Sequence, residues 1–148
     1  MASYKIIGPW TVTQVDQFLH TITVPMRIAA NTRSGFPTVT PLWFIWQDQC
    51  IWAASRPNAG IVKILRRDGR CAFDISVEQA PYKGIRGKGI ANVTDNGLPT
   101  LEALLNRYLG HESSTFRRWL LERSRDECLI QIHPTEMTSW DFSQRMAE

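Results

Sequence analysis

The sequence predicts a mainly β protein: a small barrel of about six or seven antiparallel strands, with a helical insertion before the last strands. Three observations carry this. Extended runs rich in Trp and β-branched residues recur between turn signals from Val24 to Thr94. Two helical patterns then follow one another between Leu101 and Arg125, and strand character returns in ECLIQIHPTEMTSWDF. Strands closing around one core, with helices outside them, are a solution open to a single domain. With 148 residues and 43% hydrophobic content the chain is long enough for one sizeable core and short for two, so residues 1–148 are expected to form one domain.

The elements follow from periodicity. In Thr11 to His20, Val12, Val15, Phe18 and Leu19 share one helical face, with Thr or Asp available near the start. VPMRIAANT, from Val24, has an extended bias. The Ser-Gly and Pro signals between Arg33 and Pro37 mark a turn before TVTPLWFIW, so the two runs read as a hairpin. Alternation along that second run places Val39, Pro41, Trp43 and Ile45 on one face and Thr40, Leu42, Phe44 and Trp46 on the other. Gln47, Asp48 and Gln49 interrupt it, and CIWAAS reads as a third strand paired with the second.

RPNAG, Arg56 to Gly60, is a turn-rich loop leading into a short helix, Ile61 to Arg67, that Asp68-Gly69 ends. Arg70 to Val77 alternates Cys71, Phe73, Ile75 and Val77 against polar or small residues, the period of a half-buried strand. The extended run within Lys83 to Thr94 contains Gly84, Gly87 and Gly89, which permit bends or close backbone approach. Leu101, Leu104, Leu105, Tyr108 and Leu109 mark one helix face after Asn96-Gly97, and Phe116, Trp119 and Leu120 mark another. In the final strand Leu129 and Gln131 face opposite to Ile130 and Ile132.

Composition excludes several classes. No apolar run approaches the roughly 20 residues that cross a bilayer, and MASYKIIGPW lacks the apolar stretch of a secretory signal, so a soluble, cytoplasmic protein without a membrane partner is expected. Cys50, Cys71 and Cys128 are odd in number and widely spaced, and read as buried free thiols rather than a disulfide framework or zinc site. His20, His111 and His133 are scattered and receive no role. A net charge of +3 favours an anionic partner, yet the basic residues are spread along the chain rather than interleaved with aromatics, which argues against nucleic acid.

One stretch has both a flat apolar part and a site for negative charge. Thr40 to Trp43 is apolar and aromatic, while Arg56, Lys63 and the amides that begin the Ile61 helix offer what a phosphate needs. The Arg56 fork matches phosphate oxygens. On residues alone, a solvated basic face and aromatic core packing explain these features too, and Arg86 and Lys88 read as facing water. Trp140 reads as a seal on the barrel end.

The order of features carries more than any one of them. A strand ending near Asn31, a Gly-x-Pro turn, Thr-Pro-Leu-Trp-Phe, a short strand ending at Ser55 and a helix ending Leu65-Arg66-Arg67-Asp68-Gly69-Arg70 resemble the pyridoxamine 5'-phosphate oxidase-like family, the flavin-binding split barrels. The resemblance runs from about Val24 to Trp140. It implies a homodimer that holds FMN, or in one branch the deazaflavin coenzyme F-420, in a groove between subunits. By that resemblance Thr40, Pro41, Leu42 and Trp43 line the ring, Ser55 lies at the phosphate end, and basic and hydroxyl side chains between Ser55 and Arg66 hold the phosphate, for which Arg56 and Lys63 are the candidates by charge.

The chain departs from the family where many members place Ser-x-Lys. Ala59, Gly60 and Ile61 stand there instead, and Lys63 lies half a turn later.

The expected function is a flavin-dependent oxidoreductase acting on a small organic molecule, with the redox step supplied by the cofactor. A deazaflavin-dependent reductase is the alternative, because the run from Leu101 to Arg125 before a last strand is similar to the members that bind it. A non-catalytic flavin or heme protein is the third reading; heme would need an axial ligand from His20, His111 or His133. Pyridoxamine phosphate oxidase itself is not expected. Its C-terminal segment is rich in Arg and His, and DFSQRMAE offers only Arg145.

Overall fold

A computed structural model describes residues 4–110 and 114–147. Its elements are β1 (Lys5–Ile7), α1 (Val12–Thr21), β2 (Met26–Asn31), β3 (Pro37–Leu42), β4 (Ile45–Gln47), β5 (Cys50–Ser55), α2 (Gly60–Arg67), β6 (Arg70–Ser76), β7 (Lys83–Thr94), α3 (Leu98–Leu109), α4 (Thr115–Glu122) and β8 (Cys128–Asp141). The fold is mainly β, with the helical insertion of α3 and α4 between β7 and β8.

Seven strands form one antiparallel path in the order β3-β2-β6-β7-β8-β5-β4. Laid flat, its six gaps would separate the end strands by roughly 29 Å. Yet β3 and β4 are consecutive in the chain, joined only by Trp43 and Phe44, and such a link reaches at most about 11 Å. The sheet must therefore curl until its edges meet, and a split barrel results.

The run Thr38 to Trp46, expected as one strand, is thus two by pairing. Its first half bonds to β2 and its second to β5. The expected alternation nevertheless persists across the joint, because Phe44 and Trp46 are buried while Val39 and Pro41 are exposed. β1 was not expected. It pairs in parallel with β8, so the sheet is not wholly antiparallel.

The core gathers Met26, Ile28, Phe44, Ile51, Phe73, Ile75, Ile85, Ile130, Ile132 and Met137, with Val15 and Leu19 of α1 and Ile61, Val62 and Leu65 of α2 closing over it. A capping box starts α1: Thr11 Oγ1 accepts from the Gln14 amide (3.2 Å) and Gln14 Oε1 from the Thr11 amide (2.8 Å). Not every predicted face is buried. Val12, Phe116 and Trp119 are exposed; on α4, Phe116 and Trp119 stack on each other with ring centres 6.3 Å apart.

Helix α3 is held at both ends. Its first turn begins after Gly97, whose amide donates to the Glu127 carbonyl (2.9 Å), and it stops at Gly110, which takes φ 82°. A Cβ at Gly97 would lie 2.4 Å from the backbone carbon and oxygen of Cys128, a contact that rigid backbone cannot relieve. Gly97→Ala is therefore expected to cost about 1–3 kcal/mol, seen as a lowered midpoint in urea unfolding with an unchanged slope.

All three cysteines are buried free thiols. Burial pushes the Cys71 thiol up to about 12, which leaves it without nucleophilic character at neutral pH. Among the described residues no helix is long and apolar enough to cross a membrane, and no group of three or more His, Cys, Asp or Glu side chains is placed to hold a metal ion.

Candidate functional site

Where β3 passes into β4, the chain borders a cleft of about 490 Å³. Pro25, Pro41, Leu42 and Trp43 form one wall, and Ala54, Ser55 and Arg56 at the end of β5 form another. Leu101 and Leu104 of α3, Leu120 of α4, and Ser124 and Glu127 beyond it complete the lining. A cavity of this size with mostly apolar walls and a few polar groups suits a small organic ligand.

Five of the seven residues singled out in the sequence meet here: Pro41, Leu42, Trp43, Ser55 and Arg56. Closure of the barrel brings them together, since β3 ends one side of the strand order and β5 lies beside β4 at the other, and the Trp43-Phe44 joint links β3 to β4. Thr40 and Lys63 do not line the cleft. Thr40 has the opposite parity to Pro41 on β3, and Lys63 borders a separate depression with Arg33, Ile64 and Arg67.

The joint is clamped by α3. The Tyr108 hydroxyl accepts from the Phe44 amide (3.2 Å) and donates to the Val24 carbonyl (2.9 Å), while its ring stacks on Trp43 at 5.0 Å and 8°. One face of Trp43 is thereby taken, and a ligand meets its edge or its other face. Arg107 donates to the carbonyls of Leu19, His20 and Ile22, closing the end of α1, and its guanidinium lies 5.5 Å from the Phe44 ring centre. These contacts fix the wall without consuming the polar groups of the cleft.

Arg56 stands at a junction. It lines the apolar cleft and also a smaller polar depression of about 290 Å³, with Pro57, Asn58, Arg123 and Asp126. Next to it α2 begins at Gly60. Ala59 caps that helix with no side-chain hydrogen bond, so the first amides of α2 have no partner within the helix, and the Ala59 amide itself donates to the Arg56 carbonyl (3.0 Å).

Glu127 is the site residue that sequence reasoning missed. It ends a turn in which its amide donates to the Ser124 carbonyl (3.0 Å). It is only 5% exposed, yet its Oε1 has no hydrogen-bond partner. Burial pushes its carboxyl above the usual range; Arg56 draws it down and Asp126 pushes it up. The one signal available in the sequence was an acidic pair, Asp126-Glu127, set directly against an apolar strand.

The remaining candidates lie elsewhere. Arg86 and Lys88 are exposed, with Lys88 paired to Glu136 at 3.3 Å. Trp140 is half-buried under the Arg86 guanidinium, 5.8 Å from its ring centre. Trp46 Nε1 donates to Asp16 (2.8 Å) and Trp52 Nε1 to the Gln47 carbonyl (3.0 Å), both structural roles. Of the histidines, His20 faces Asp16 at 3.6 Å, His133 Nδ1 lies 3.2 Å from Cys50 Sγ, and His111 falls outside the described residues.

No family model and no curated protein matches the chain. Solved structures do. A conserved hypothetical protein from Mycobacterium tuberculosis superimposes with a TM-score of 0.74 at 18% identity, covering 90% of this chain and 86% of that one. An F-420 reductase gives 0.67 at 16% identity, covering 82% and 94%. A pyridoxamine 5'-phosphate oxidase homologue from Listeria innocua gives 0.65 at 13% identity, covering 88% and 97%. At these identities the likeness is one of fold.

Proposed function

We propose that this chain, a split barrel with the fold of the pyridoxamine 5'-phosphate oxidase-like proteins, is a homodimeric flavin-dependent oxidoreductase that holds FMN in the cleft beside Trp43 and acts on a small organic substrate. The observation that carries this reading is Arg56, which belongs at once to a flat apolar cleft and to a polar depression. A ligand with a planar apolar head and an anionic tail satisfies both.

The residues present fit such a ligand. Pro41, Leu42 and Trp43 orient the ring and exclude water from it, and the rigid Tyr108 stack keeps that wall from collapsing. Ser55 and Arg56 lie at the anionic end, where the uncapped amides of α2 add donors and a favourable dipole. The pair replaces the Ser-x-Lys that Ala59, Gly60 and Ile61 lack. Lys63, on the far side of α2, is left out of this arrangement. The flavin, when bound, supplies the hydride or electron transfer, and the protein supplies position, charge and a dry pocket.

A deazaflavin reductase is the second reading, favoured by the F-420 reductase that shares the fold. It uses the same wall and the same Arg56. The homodimer and a cytoplasmic location belong to this proposal as well.

A visible spectrum of the freshly purified protein, with mass spectrometry of the molecule released on denaturation, tests it. FMN is the expected result. A deazaflavin band moves the protein to the second reading, and a Soret band to heme binding. A colourless protein that gains no thermal stability from added FMN or deazaflavin overturns both redox readings, because a ligand at 100 times its Kd contributes about 2.7 kcal/mol.

A further inference from the structure

Glu127 is unexplained by the architecture. An acceptor buried without a partner costs about 1–3 kcal/mol, and buried polar groups are almost always satisfied. Here the orphaned Oε1 belongs to a side chain that lines the cleft. Its place is fixed by the main chain: the Ser124 turn on one side and the Gly97 amide on the other.

The charges around it come from several elements. Arg56 approaches from the end of β5, Asp126 is its neighbour in the turn, and Arg123 joins both at the polar depression. Beyond Cys128 the Arg66–Asp95 pair closes on itself at 3.0 Å, with Arg66 also 3.5 Å from Cys128 Sγ. α3 and α4 line the cleft with Leu101, Leu104 and Leu120. Arg56 is thus the cation of the cleft wall that favours an ionised Glu127.

We propose that Glu127 is a ligand-binding acid of this cleft: when the phosphate of a bound ligand takes the Arg56 guanidinium, the Glu127 carboxylate takes up one proton from solvent and becomes a hydrogen-bond donor to the ligand. The inference rests on the reading of the cleft as a site for a phosphorylated flavin. Its physical basis is the removal of an attraction. A phosphate dianion cancels the field of Arg56 at Glu127, and the loss of that attraction favours the neutral acid.

The sign follows. Because binding raises the proton affinity of Glu127, affinity for the phosphorylated ligand falls as pH rises above the free carboxyl's own pKa, by up to tenfold per pH unit. A ligand without phosphate leaves Arg56 in place and takes up no proton.

Isothermal titration of FMN and of riboflavin into the wild type and Glu127→Gln, at pH 8 in buffers of different ionisation enthalpy, reads this directly. At that pH a phosphate monoester with a second pKa near 6 is already dianionic and contributes little. The expected result is net proton uptake on FMN binding in the wild type, about none with riboflavin, and about none in Glu127→Gln, whose FMN affinity stays flat from pH 7 to 9. FMN binding to the wild type without proton uptake overturns the inference and leaves the flavin reading intact, as does equal uptake with riboflavin or in Glu127→Gln. Absence of FMN binding to the wild type overturns the flavin reading, and the inference with it.

Discussion

Phe44→Ala is expected to lower stability by about 3–5 kcal/mol, the usual range for emptying a fully buried aromatic site. Phe44 has 0% exposure and sits in the two-residue joint between β3 and β4. Its neighbours cannot readily collapse into the space, since Tyr108 holds its backbone and Arg107, lying over its ring, is itself tied to three carbonyls of α1. In thermal unfolding the loss corresponds to a drop of roughly 6–20 °C in Tm for a domain of this size. The variant should also bind cleft ligands less well, because the joint sets the distance between the Pro41-Trp43 wall and Ser55. A Tm within about 2 °C of the wild type would mean that the barrel does not depend on this closure.

The second large effect concerns Arg56. If its guanidinium binds a phosphate, loss of even one charge-assisted hydrogen bond worth about 1.5–3 kcal/mol means that Arg56→Ala weakens FMN binding by at least roughly 10- to 150-fold. Riboflavin, which shares the ring and lacks the phosphate, should bind both proteins alike. Arg56→Lys is expected to recover only part of the loss, because a point charge cannot reproduce the planar fork. Fluorescence titration of the two flavins gives all the affinities needed. Equal losses for FMN and riboflavin would place Arg56 in the support of the wall rather than at a phosphate.

How much of this was legible in the sequence depends on the range of the interaction. The helix of Thr11 to His20, the alternation in Arg70 to Val77 and the Asp68-Gly69 stop are local, and each appears where the residues place it. The division of Thr38 to Trp46 into two strands is not local. Parity runs unbroken through Trp43 and Phe44, and only the choice of partners, β2 on one side and β5 on the other, reveals the joint. β1, three residues long, has too few positions to show a period, and its strand character comes from β8, more than a hundred residues away.

The site divides in the same way. Pro41, Leu42, Trp43, Ser55 and Arg56 are recognisable by type and order, and their convergence agrees with the strand order. Lys63 was assigned by its charge, but helical geometry turns it to the other side of α2. Glu127 gave only the faint signal of an acidic pair beside an apolar strand, because its burial comes from the fold around it rather than from its neighbours in sequence. A carboxyl becomes unusual only when something else covers it.

The pairing of β8 has a consequence for how fast the chain folds. β8 bonds to β1, β5 and β7, with Lys5 set against Glu136 and Ser55 against Cys128, so three earlier strands wait for one late segment. Contacts of such sequence separation give a high contact order, and the loop-closure entropy must be met before the pairing returns any energy. Folding should accordingly be slow for the chain's length. Until β8 arrives, β5 and β7 remain open edges, exposed to pairing with other chains.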